Sequence, residues 1–150
     1  MSALRTAVTL TGGIALLAAT GIDAISVIGR NVGLPFRGSI ELVQVAVLVA
    51  GTLALLVATV DRSHAKVHLL VDRMSETARA TLDRVSALLG AVFFAALLAG
   101  SVWLMADLWD GHEQSEVVGV SWRAMRLFAN VVLAAIVLAL LGQAFRGRKP

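Results

Sequence analysis

In 150 residues, 58% hydrophobic and only 15% charged side chains leave a water-soluble globule short of polar surface, since soluble chains run at roughly 45–50% apolar and about 25% charged. A mean hydropathy of +0.84 fits a chain whose solvent is largely lipid, taken up in apolar stretches of about 20 residues. The absence of cysteine excludes disulfide, thiolate and cysteine-metal chemistry. The formal charge of +3 comes from arginines set beside apolar runs, which suit lipid headgroups better than a nucleic-acid groove. Membrane lipids are therefore expected partners and nucleic acid is not.

In chain order, the first predicted span covers 7–29, behind a short head carrying Arg5 and interrupted only by Asp23. Its apolar run is long for a signal segment and lacks a clean small-x-small site before Asp23, so it reads as a retained helix. Residues 30–38 then hold Gly33, Pro35 and Gly38, the composition of a tight hairpin. The second span, 42–60, carries no charge, and at about 1.5 Å per residue it reaches across a hydrocarbon core of about 30 Å. The segment 61–84 is too charged to span. At helical spacing Val67, Leu70, Val71, Met74, Ala78 and Leu82 fall on one side, with His68, Asp72, Glu76, Arg79 and Asp83 on the other. An amphipathic interfacial helix over 63–83 is predicted.

The third span, 85–106, runs uncharged into Trp103, Asp107 and Trp109, where indoles suit the headgroup level. The fourth, 127–145, holds Asn130 and Gln143 and ends in a basic tail. The fold class is thus an all-α integral membrane protein, a single domain over 1–150 with four transmembrane helices and an interfacial helix between the second and third. Placing both termini in the cytoplasm puts nine lysines and arginines inside against four outside, as the positive-inside rule favours. No internal repeat supports an inverted-repeat transporter core.

Candidate chemistry is sparse. Asp23 is the one ionisable residue well inside a predicted span, roughly 9 Å from an outer end near Gly29, and an intramembrane carboxylate is costly enough to be a functional candidate. Assembly with a neighbouring helix or subunit is favoured over ion handling, because no second intramembrane acid or histidine offers a relay. In a hairpin it lies at a depth close to Gln44, with Glu41 one turn nearer the outer surface. His64 and His68 are spaced i, i+4, as two zinc ligands can be, but the glutamate of an H-E-x-x-H site is missing. No predicted span contains a histidine for haem, and the serines lack an activating base. No enzyme activity, catalytic residue, metal site or cofactor is expected. The candidates for structural or subunit-interface roles are Asp23, Glu41, Gln44, His68 and Asp72.

The order of these parts resembles a known family. A hairpin with Arg30-Asn31 ahead of Glu41, then His68-Leu69-Leu70-Val71-Asp72 opening a surface helix, and Val118-Gly119-Val120-Ser121-Trp122 before the last span are similar to the small permease subunit of tripartite ATP-independent periplasmic (TRAP) transporters. Ser121 departs from the pattern, which leads one to expect proline there. The resemblance implies a small bacterial inner-membrane subunit that scaffolds a large permease subunit. That large subunit would carry sodium-driven uptake of an organic acid, delivered by a periplasmic substrate-binding protein. The alternative from another class is a small membrane-anchor or cytochrome-like subunit of a redox enzyme. A homo-oligomeric channel calls for a polar stripe along one span, which the sequence lacks.

Overall fold

The computed structural model describes residues 3–61, 75–111 and 113–146, which form four helices: α1 (Ala3–Asn31), α2 (Ser39–Val60), α3 (Glu76–Asp107) and α4 (Trp122–Arg146). All four are long and apolar enough to cross a bilayer, in agreement with the four predicted spans. Residues 63–74 of the predicted interfacial helix lie outside the described residues. Its last residues do not end a separate element: Glu76 to Asp83 are the opening turns of α3, which runs unbroken past the predicted boundary at 83–85. The cause is local. Ser75 caps the helix by accepting the Ala78 N–H at 3.4 Å, and neither proline nor glycine follows before Gly90, so nothing stops propagation.

α1 ends in a helix-stop motif: Gly33 sits at φ 78° and the Leu34 N–H reaches back to the Gly29 carbonyl at 2.8 Å, with Pro35 just beyond. α1 then meets α2 along Val8, Gly12, Ala15, Ala19, Ile22 and Ser26, which together with Gly29, packed on the turn that follows it, are the buried or half-buried residues among the described side chains of α1. The alternating spacing of four and three averages 3.5 residues, the period of a left-handed antiparallel pair. Three contacts hold one register along its length: Arg5 with Asp61 at 2.6 Å, Gly12 beside Leu53, and the Ser26 and Ser39 hydroxyls at 2.8 Å. The first is exposed at the surface and contributes little to stability, about 0–1 kcal/mol. Its value is to mark which residues lie level.

α3 and α4 form the second hairpin, and α2 packs against α4 to join the two. The helices therefore stand in the order α1, α2, α4, α3, with α4 the most enclosed. A small core gathers Ala91, Val132, Ile136 and Leu140, flanked by Leu56, Phe94 and Phe128. Ile136 and Thr59 are the largest fully buried side chains among the described residues. Such thin burial is unworkable in water but acceptable where lipid covers the remaining aliphatic surface. Within α2 two threonines are satisfied by their own helix, Thr52 donating to the Leu48 carbonyl at 2.7 Å and Thr59 to that of Leu55 at 2.8 Å, as a medium without water favours. Gln143 ties α4 to α2 by donating to the Thr59 carbonyl at 2.7 Å.

Asn130 differs. It is buried between α4 and α3, its amide nitrogen reaching the Met105 sulfur at 3.4 Å while its Oδ1 has no hydrogen-bond partner among the described residues. A weak bond and an orphaned acceptor do not offset the desolvation of an amide. Asn130→Leu is therefore expected to stabilise the purified chain by about 1 kcal/mol, read as a raised thermal midpoint in detergent. A lowered midpoint would show that the amide holds α3 to α4 through more than the thioether.

Candidate functional site

The described polar contacts that link one hairpin to the other concentrate at the end where the 32–38 and 108–121 connections lie. Glu41 stands in the first turn of α2, where a carboxylate also complements the helix dipole. Gly38, at φ 84°, turns the chain into that helix without a side-chain cap. Rather than folding back on its own N-terminus, the Glu41 carboxylate reaches the tip of the 108–121 connection. One oxygen accepts the Val117 N–H at 3.1 Å, and the other accepts the Val118 N–H at 2.9 Å and the Val117 N–H at 3.2 Å.

The connection is shaped to present those amides. Gln114 pairs with Ser121 across an antiparallel bridge, and the Ser115 N–H donates to the Val120 carbonyl at 2.9 Å. The buried Ser115 hydroxyl accepts the Val120 N–H at 2.9 Å, while Gly119 makes the turn at φ 74°. With the internal bonds closed this way, the N–H groups at positions 117 and 118 are left pointing at α2 and form a small anion-binding nest. The base of the loop is fastened to α4 as well. Glu113 pairs with Arg126, and Arg123 lies 4.1 Å over the Trp109 ring while donating to the Trp109 carbonyl. The Ser121 carbonyl accepts the Met125 N–H at 3.4 Å, so a serine leads into α4 where the resemblance leads one to expect proline.

Below the loop, α2 and α4 diverge around an open groove of about 1030 Å³ lined by Arg37, Glu41, Gln44, Trp122 and Arg126. It continues into a smaller cleft of about 350 Å³ reaching Leu48, Ser101 and Met125. Gln44 is exposed in this groove, one turn from Glu41. Asp23 is not in it. The α1–α2 register puts Asp23 opposite Leu42, at the margin of α2's uncharged run, and its side chain is exposed on α1. His68 and Asp72, like His64 and His112, lie outside the described residues.

Glu41 and Gln44 are thus brought to one place and Asp23 to another. The partners of Glu41 escape a reading of the sequence because they are main-chain amides 76 and 77 positions away, and backbone donors leave no side-chain signature. The Glu113–Arg126 pair is equally silent in the sequence. Chemically the site holds rather than transforms: a carboxylate saturated by amides is a poor base or nucleophile, and it latches one helical hairpin to the other.

Four spanning helices in a row, latched at one end, define a multi-pass membrane protein built for packing. The family described as the DctQ component of tripartite ATP-independent periplasmic transporters matches residues 7–149, and the chain belongs to it, a transporter component and not an enzyme. A comparison with curated proteins gives no match.

Proposed function

We propose that this chain is the small membrane subunit of a TRAP transporter, scaffolding the large permease subunit for sodium-driven uptake of an organic acid delivered by a periplasmic substrate-binding protein. The setting is the bacterial inner membrane, with both termini in the cytoplasm. What carries the reading, beside the family, is the arrangement of the helices. α1 and α3 stand at the two ends of the row, and α1 packs extensively on α2 alone. A row of this kind offers broad faces to a neighbour, and the Glu41 and Gln143 side chains hold its two hairpins together. A transport domain that moves through the bilayer needs an immobile frame, and a rigid row of spans widens one. The redox-anchor alternative falls with membership of a transporter family.

Co-expression with the large permease subunit tests this. The two chains are expected to purify as a stable one-to-one complex, and reconstituted sodium-driven uptake is expected to vanish when this chain is left out. Full uptake by the large subunit alone would overturn the proposal.

A further inference from the structure

α1 has two exposed flanks, one on either side of its seam with α2, and they differ in kind. One carries large aliphatic side chains from end to end: Leu10, Ile14, Leu17, Ile25 and Ile28, each about 60–75% exposed. The other carries Thr9, Gly13, Leu16, Thr20, Asp23 and Val27, all exposed and mostly small or polar. Lipid suits the first flank. On the second, small residues would let another backbone approach closely, and Asp23 adds a charge that acyl chains do not solvate.

Height separates the two flanks further. Ile25 lies about half a turn and Ile28 about one and a half turns closer to the loop end than Asp23. A flat bilayer deep enough to cover these isoleucines on one side of α1 submerges the Asp23 carboxylate on the other, and a bilayer shallow enough to spare Asp23 strands the isoleucines outside. The direction of the side chain sharpens the conflict. Helical side chains lean toward the helix N-terminus, so Glu41 on α2 leans outward to its loop, whereas Asp23 on antiparallel α1 leans toward the bilayer centre. Both flanks are satisfied only when lipid covers the aliphatic side and protein covers the Asp23 side.

We infer that the Asp23 flank of α1 is the surface by which this chain docks on the large permease subunit, against a membrane helix of that subunit carrying a lysine or arginine opposite Asp23. The inference rests on the subunit reading above and adds the face and its chemistry. Docking converts an exposed carboxylate into a paired one, so its loss weakens association while sparing the isolated chain.

Photo-crosslinking residues placed singly at Leu16 and Val27, on the Asp23 flank, and at Leu17 and Ile28, on the aliphatic flank, are compared in the co-expressed complex. Adducts with the large subunit are expected from the first pair alone. Asp23→Ala and Asp23→Asn are expected to lower complex recovery about tenfold, equivalent to about 1.4 kcal/mol, with the thermal midpoint of the isolated chain unchanged. The docking surface is refuted by adducts from Leu17 and Ile28 instead, by adducts between two copies of this chain, or by recovery of both Asp23 variants within about twofold of the parent. Those results leave the subunit reading standing. Failure of the unsubstituted chain to associate with the large subunit at all refutes both.

Discussion

Glu41→Ala releases the tip of the 108–121 connection from α2. Two backbone N–H groups, those of Val117 and Val118, lose the acceptor that the folded chain supplies, and no neighbouring side chain of α2's first turn is long enough to replace it. Hydrogen exchange reads this directly: the amides of 117 and 118 are expected to exchange about tenfold faster or more. The Ser115 and Val120 amides, bonded within the loop itself, should keep their protection. Glu41→Gln retains one carbonyl acceptor and should fall between the parent and the alanine variant. Because the latch joins the two hairpins, the subunit reading proposed above leads one to expect that the alanine variant reduces recovery of a complex with the large subunit more than it alters any sodium dependence of uptake. Unchanged exchange at 117 and 118 would show the latch to be dispensable, and an altered sodium dependence with full recovery would place ion chemistry in this chain.

The second large effect is expected at Gly38, where two costs coincide. Its φ of 84° is a left-handed conformation that costs an L-residue about 1–2 kcal/mol. A methyl group there would also approach the Val118 Cγ2 to 2.8 Å and the Val117 Cγ1 to 3.0 Å. Gly33 separates the two terms, because its φ of 78° is similar but a methyl group would meet nothing within 4 Å. Gly33→Ala is therefore expected to cost about 1–2 kcal/mol and Gly38→Ala about 2–3 kcal/mol, measured as loss of stability in detergent. The excess is the penalty of pushing the loop tip away, so Val118→Ala should recover part of it and Glu41→Ala should reduce it, since a loop no longer latched can yield. Equal losses at the two glycines would show that the loop does not press on α2.

Some of this is legible without coordinates. Glu41 stands out as a lone acid at the mouth of an uncharged run, although its purpose does not. The boundary between the surface helix and the third span is misplaced by the sequence because a change from charged to apolar residues at Arg84–Val85 looks like a junction, whereas the backbone responds to caps and breakers, and the cap stands at Ser75. Asp23 reads as deep when depth is counted along α1 alone. The contacts of Ser26 with Ser39 and of Arg5 with Asp61 show that α1 extends past the point where α2 begins.

By itself the amino-acid sequence determined that the chain lives in lipid, that four segments are able to cross it and roughly where each lies, because length and hydropathy are local properties that a bilayer reads one helix at a time. Only the tertiary structure decided that the helices stand in the order α1, α2, α4, α3, that Glu41 closes on amides in a distant loop, and that Asp23 emerges on the flank of α1 opposite its aliphatic stripe. The physical reason is that lipid and a neighbouring helix are equally apolar. A span that is greasy on every side carries no periodic mark of which side meets protein, and its partners are settled by packing and by a few polar atoms at the helix ends.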